Sequence, residues 1–204
     1  GTLARQELGS MLPVLALTQA GYLRRSSRVL DVCASPGSKT LQALEIIGES
    51  GQIVANDILE SRLDALREAV ERCGMPRTLT DRITYTNQDA TQLRLRTERW
   101  AEVVVCDVPC SGDGTCRKDK HILPMWKPNY ANQLHGIQVE ILVRSIQLLK
   151  VGGAICYSTC SLNPVEDEAV VAEALRRTRN VPVGDDGSPA VELIECPDLT
   201  GLIQ

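Results

Sequence analysis

The sequence predicts an α/β domain built on a doubly wound, mostly parallel sheet. From residue 28 onward short β-rich runs alternate with segments of helical period, the pattern of strand-helix-strand units joined by right-handed crossovers. The fourth of these runs carries Val103, Val104 and Val105 in succession, too apolar to face water on either side, as in strands covered by helices on both faces. Aromatic residues make up 3% of the chain and Phe is absent, so the core falls to Leu, Ile, Val and Ala, which suits such a sheet.

The elements follow in order. The first 27 residues read as helix, packing beside the first strand. "RVLDVCA" (28–34) reads as that strand, and "KTLQALEIIGE" (39–49) as a helix with Leu41, Leu44 and Ile47 on one face. "QIVANDI" (52–58) is the second strand, and "SRLDALREAVERCG" (61–74) a helix that Gly74 stops. "ITYTNQD" (83–89) and "AEVVVCDVP" (101–109) are the third and fourth strands. An amphipathic segment over 130–150 precedes the fifth, "GGAICYSTC" (152–160). "NPVEDEAVVAEALRR" (163–177) then carries its own start signal: Asn163 as N-cap, Pro164 at the first helical position, and Glu166 bonding back to the cap. "VGDDGSP" (183–189) reads as a loose loop.

Residues 1–204 fit one domain, since about 100–200 residues per domain is usual. The chain opens on Gly1 without an initiator Met, so it is expected to be excised from a longer protein. No apolar run nears the roughly 20 residues of a membrane span, and no signal peptide is visible. Eight cysteines without a C-x-x-C pair, beside two His, argue against a disulfide framework or a metal site and for reduced thiols in a cytosolic or nuclear protein. The net charge of −4 is unlike that of most nucleic-acid binders, so either a basic surface is local here or segments outside this chain supply it.

In an open doubly wound sheet, ligands bind outside the carboxyl ends of the strands. The unusual residues fall there. "DVCASPGSKT" (31–40) follows a strand and opens a helix, so that Cys33, Ala34, Ser35, Pro36, Gly37, Ser38 and Lys39 can line a ligand. It is neither a G-x-G-x-x-G nor a G-x-x-x-x-G-K-[ST] loop. Asp57 ends the second strand, where a carboxylate can receive ribose hydroxyls. Asp89 ends the third and is placed for a ring amine. Taken singly, each Asp is as readily a helix cap or a solvated turn; jointly they fit an adenosine-bearing ligand. In "CDVPCSGDGTCRK" (106–118), Pro109 holds Val108 extended, so Asp107 and Cys110 emerge at a rigid turn. Cys106 and Cys156 read as buried core thiols. Cys110 and Cys160 do not, because both stand at the ligand edge.

"DVCASPGSKT", "NDILESR", "DVPCSGDGTCRK", "QLHGIQ" and "YSTCSLNPVEDEAVV" together resemble the Sun family of RNA cytosine-5 methyltransferases, most closely its eukaryotic tRNA-modifying branch. The likeness runs from about Thr2 to about Leu175, and the pairing of Pro-Cys with Thr-Cys in one chain is its most specific mark. Ser35 stands where the family usually has Ala, a small-for-small change.

The resemblance implies a Rossmann-like S-adenosylmethionine-dependent methyltransferase domain acting on RNA, with tRNA the expected substrate. It implies that Cys160 attacks carbon 6 of cytosine, so that carbon 5 becomes nucleophilic enough to take a methyl group. Asp107 would hydrogen-bond ring nitrogen 3, in its protonated form or by a relayed proton. Cys110 would assist loss of the carbon 5 proton and release of Cys160. S-adenosylmethionine would lie against 33–39, Asp57, Asp89 and Asp107. The Cys160 thiol, ordinarily near pKa 8.5, needs local help, for which the dipole of the helix over 163–177 is one source. Lys39, Arg117 and Lys118 are candidate RNA contacts, with Lys120 and Trp126 beside them; a solvated basic loop is the plain alternative. His121 and His135 read as structural or RNA-contacting. No metal and no membrane partner are expected, and the oligomeric state is open. Two rivals stand: a cytosine-5 DNA methyltransferase with Cys110 as nucleophile, which leaves Cys160 unexplained, and a non-catalytic RNA-binding remnant.

Overall fold

The central strands of the sheet are buried on both faces. In the computed structural model, residues 6–118, 120–127, 129–179 and 191–199 are described; the loop expected over 183–189 lies outside them. The strands are β1 (Arg28–Asp31), β2 (Gln52–Asn56), β3 (Ile83–Thr86), β4 (Ala101–Asp107) and β5 (Leu149–Ser158). They are all parallel, in the order β3-β2-β1-β4-β5. Leu30 stands opposite Val54 and Val104, and Asp107 opposite Ser158.

The helices are α1 (Leu8–Gln19), α2 (Ser38–Ile47), α3 (Glu60–Arg72), a short α4 (Arg77–Thr80), a short α5 (Ile122–Met125), α6 (Tyr130–Leu148) and α7 (Glu168–Thr178). Alternate strand residues feed two cores. Val29, Ile53, Ala55, Val103 and Val105 pack with Val14 and Leu17 of α1, Leu44 and Ile47 of α2, and Leu63 and Leu66 of α3. Leu30, Val54, Val104 and Cys106 pack with Val139 and Leu142 of α6 and Val170 of α7. Each Val, Leu or Ile side chain among them, taken fully out of water, contributes about 1.5–3 kcal/mol. No described helix is long and apolar enough to cross a membrane.

The element order is as the sequence predicts; several boundaries differ. The first helix ends at Gln19, before the turns that lead to β1. β1 stops at Asp31 rather than Ala34, although the Val32 and Ala34 amides still donate to Val105 and Asn56 carbonyls. β3 stops at Thr86, and β5 starts at Leu149, directly after α6. The largest correction concerns 163–177. The segment Pro164–Asp167 is a turn and the helix begins only at Glu168. Asn163 Oδ1 accepts from the Val165 amide (3.0 Å), capping that turn. Glu166 does not reach back to the cap, because its side chain is buried on polar partners elsewhere.

The strand order reverses between β1 and β4, and this switch point opens a crevice outside their carboxyl ends. Gly37 makes the turn into α2 with φ 108°. A Cβ there would lie 2.3 Å from Leu66 Cδ1, so glycine is required both by backbone conformation and by the closeness of α3.

Candidate active site

The loop after β4 and the loop after β5 meet above the crevice. Parallel pairing of Asp107 with Ser158 brings the two strand ends level, and the Val108 amide extends the ladder to the Ser158 carbonyl (3.2 Å). Beyond it Cys110 Sγ and Cys160 Sγ stand 3.2 Å apart, and the Cys160 amide donates to Cys110 Sγ at 3.3 Å. The Gly114 amide donates to the Cys160 carbonyl (3.0 Å). A Cβ on Gly114 would come within 2.8 Å of that same oxygen. The Gly-rich loop can therefore close over Cys160 only with no side chain at this point.

The thiols differ in character. Burial pushes Cys106 up to about 12 and Cys156 up to about 11, and it raises Cys33 further still. These sulfurs are inert. Cys160 is exposed, and its pKa falls from 9.0 to about 7, chiefly because the Cys110 thiol donates a hydrogen bond to its thiolate; burial and the Asp107 charge oppose this, and Lys39 assists. Cys110, half-buried, is raised for the reciprocal reason: ionising it would forfeit the bond to Cys160 and bury a second charge. Among described thiols with a displaced pKa, Cys160 alone moves down. The expected helix dipole is not the leading cause, since α7 begins only at Glu168 and the neighbouring thiol supplies the stabilisation.

Below the sulfurs, Lys39 Nζ pairs with Asp107 Oδ2 at 2.7 Å, and Ser158 Oγ donates to Asp107 Oδ1 at 2.7 Å. Lys39, in the first turn of α2, thus bridges the β1 loop to the β4 end. Asp31 at the end of β1 is buried, receives Thr40 Oγ1 at 2.7 Å through Oδ2, and leaves Oδ1 without a partner. Burial, aided by the nearby Asp107 charge, raises it to about 7 in spite of Thr40 and Lys39. A buried acceptor without a partner beside a loop of small residues is what a polar ligand at a switch point would complete. The chemistry of the loop fits an adenosine-bearing group.

Two strand-end carboxylates are already engaged. Asp57 is buried, and it accepts from the Ser35 amide (3.3 Å), the Leu59 amide (3.2 Å) and Arg62 Nε (3.0 Å), so it ties the 33–39 loop to α3. Asp89 caps a single turn, accepting from the Thr91 amide (2.9 Å) and hydroxyl (2.8 Å).

A match to the 16S rRNA methyltransferase RsmB/F family covers residues 20–190. The chain belongs to the RsmB/F methyltransferase family. It is 38% identical to the multisite-specific tRNA:(cytosine-C(5))-methyltransferase of Saccharomyces cerevisiae, over 100% of this chain and 30% of that protein. It is 35% identical to the tRNA (cytosine(34)-C(5))-methyltransferase of Drosophila melanogaster, over 98% of this chain and 26% of the relative. The chain therefore spans less than a third of the length of these relatives. The crystal structure of NSun6 from Pyrococcus horikoshii with SFG superposes with a TM-score of 0.73 at 25% identity, covering 85% of this chain and 42% of that one.

The RsmB/F fold thus gathers Cys160, Cys110, Asp107 and Lys39 at one point, with Cys33 to Ser38 beside them. It keeps Arg117 exposed, while Lys118 Nζ contacts Glu7 Oε2, which supports the solvated-loop reading for that lysine. His135 Nδ1 donates to the Val165 carbonyl (2.7 Å), a structural role. Residue patterns alone place Ser158 at the ligand edge but give it no role, miss Asp31, Ser111, Gln138 and Ser161 as parts of the site, and misread Glu166. One signal for Gln138 was available: it falls on the buried stripe of α6 with Ala131, Ile141, Leu142 and Ser145, where an amide belongs only if it has partners.

Proposed function

We propose that this chain is the catalytic domain of an RNA cytosine-5 methyltransferase, with tRNA as substrate and S-adenosylmethionine as methyl donor. The observation that carries the reading is the thiol pair at 3.2 Å, one member of which is exposed and acidified, directly above the Lys39–Asp107 ion pair. The cytosine-5 names of the relatives support the base and the atom. Work on RNA suggests a place inside the cell, in the nucleus or cytoplasm.

Cys160, its thiol acidified by the hydrogen bond from Cys110, adds as the thiolate to carbon 6 of a cytosine turned out of its stack; extrusion costs a few kcal/mol, least in single-stranded or loop RNA. Negative charge then develops toward ring nitrogen 3. Asp107, bonded by Lys39 Nζ and Ser158 Oγ, orients the base. The proton for nitrogen 3 comes from the lysine ammonium, the relay form of the two routes the sequence left open. S-adenosylmethionine, when bound, supplies the electrophilic methyl group. Residues 33–39 would hold it, with Asp31, Asp57 and Asp89 at the strand ends; Asp57 would share its carboxylate with Arg62 and the Ser35 amide. Forming the adduct consumes the Cys160 charge that kept Cys110 protonated. Cys110 can then lose its proton to solvent and serve as base at carbon 5. As it takes the carbon 5 proton, the bond from Cys160 to carbon 6 breaks, the Cys160 thiolate returns, and nitrogen 3 gives its proton back to Lys39.

The DNA-type rival needs Cys110 as nucleophile, but Cys110 is the half-buried, weakly acidic member. A remnant would have no reason to keep one acidified thiol. The test uses the parent protein, Cys110→Ala, Cys160→Ala and the double variant with S-adenosylmethionine and cytosine-containing tRNA, read as covalent protein–RNA bands on a denaturing gel. A band that accumulates in Cys110→Ala and vanishes in the double variant is expected. Accumulation in Cys160→Ala instead would reverse the roles.

A further inference from the structure

Glu166 has no part in the steps above, yet its side chain is fully buried, with 0% of the residue exposed. Its carboxylate takes four donors. Oε1 accepts from the Ser111 amide (2.8 Å) and Gln138 Nε2 (3.0 Å). Oε2 accepts from Ser161 Oγ (2.7 Å) and from Ser111 Oγ. Ser111 directly follows Cys110, and Ser161 directly follows Cys160. Gln138 also donates to the carbonyl of Pro109, the residue before Cys110 (2.9 Å). The Glu166 main-chain carbonyl is fixed in turn by the Tyr157 hydroxyl of β5 (2.6 Å).

A buried carboxylate is costly unless it is fully hydrogen-bonded, and an apolar residue of equal volume stabilises a fold as well or better. A charge retained here is explained by what it holds. Other ties between the two loops exist, from the Gly114 amide to the Cys160 carbonyl and from the Leu162 amide to Asp113 Oδ1 (2.8 Å). Those run from the Gly-rich loop beyond Cys110. Ser111 Oγ and Ser161 Oγ also touch each other at 3.2 Å, and Glu166 Oε2 accepts from both hydroxyls, so the carboxylate lies at the centre of the contact between the residues that follow the two cysteines.

We propose that Glu166 is a positioning residue: its buried carboxylate clamps the Cys110 and Cys160 loops together and so sets the separation of the two sulfurs. The consequence for methyl transfer rests on the function proposed above; the thiol geometry does not.

The test compares the parent 204-residue protein with Glu166→Ala, Glu166→Gln, Ser161→Ala and Val170→Ala. Val170 lies on the core face of α7, so its truncation loosens the helix that follows Glu166 without touching the clamp. The first readout is the pH profile of Cys160 alkylation by iodoacetamide, followed by peptide mass spectrometry, with melting temperature recorded alongside. In Glu166→Ala the Cys110 hydrogen bond to Cys160 is loosened, and the midpoint moves up from about 7 by roughly one unit or more. Glu166→Gln retains an acceptor at Oε1, and the hydroxyls can rotate to accept from its amide, so its midpoint stays nearer the parent. Ser161→Ala gives a smaller upward shift, and Val170→Ala gives none despite a lower melting temperature. The second readout is methyl transfer to tRNA: misplacing the thiols by an ångström lowers kcat about 100-fold in Glu166→Ala, with KM for the methyl donor unchanged and Glu166→Gln recovering most of the rate. An unshifted profile in Glu166→Ala, or in Ser161→Ala should Glu166→Ala fail to fold, overturns the proposal. So does an equal shift in Val170→Ala. The expected alkylation shifts in a protein that transfers no methyl group would uphold the clamp and count against the methyltransferase reading.

Discussion

At the scale of single residues, the site works by keeping unlike charges and protons where bulk water would not leave them. The clearest case outside the thiols is Asp31, which burial holds at about 7 instead of 3.8. Between those values the folded protein keeps a proton that the unfolded chain has released, so stability falls as pH rises through that window and is level above it. Asp31→Asn carries no such titration. Urea unfolding of the two proteins at pH 5 and pH 8 should therefore show the variant gaining on the parent by about 2–3 kcal/mol over that interval; parallel behaviour would mean that Asp31 titrates normally. Much of the residue scale was legible in advance. Cys160, Cys110, Asp107 and Lys39 were singled out by their places at strand ends and by resemblance, and the fold brings all four together. Glu166 was misread because the N-P-x-E spacing is a sound capping signal locally, and only the three-dimensional closeness of Ser111, Gln138 and Ser161 outbids it.

At the scale of elements, the path of each loop is decided by what lies behind it. The turn at Gly37 needs positive φ, and a Cβ there would also displace the tip of the buried Leu66 side chain. Gly37→Ala is expected to cost about 2–4 kcal/mol of stability, combining backbone strain with overpacking. Denaturant unfolding measures it directly, and a loss below the effect of an ordinary surface change would show that the turn can relax. Strand and helix identities were legible because hydrophobic period survives in the sequence. Boundaries were less so. β5 begins at Leu149 because it continues straight from α6, and no turn residue marks the join. The start of α7 shifts to Glu168 because the preceding turn is spent on burying Glu166.

At the scale of the whole molecule, the RNA binding proposed above asks a chain of net charge −4 for a local basic surface. If Arg117, Lys118 and Lys120 each neutralise one phosphate, the logarithm of RNA affinity should fall against the logarithm of salt with a slope of about −2. Replacing all three with Ala should flatten that line, whereas a steep slope retained in the triple variant would move the RNA path elsewhere. The sequence by itself determined the α/β class, the strand and helix order, and the strand ends at which chemistry would sit, because alternation and helical period are local consequences of which side chains must leave water. Tertiary structure alone decided that the two cysteines lie at hydrogen-bond distance, that Cys160 is the acidified one, and that one buried carboxylate accepts from the residue after each of them. Those facts depend on residues brought together from β4, α6 and β5, and separations set by packing across a sheet leave no periodic trace along the chain.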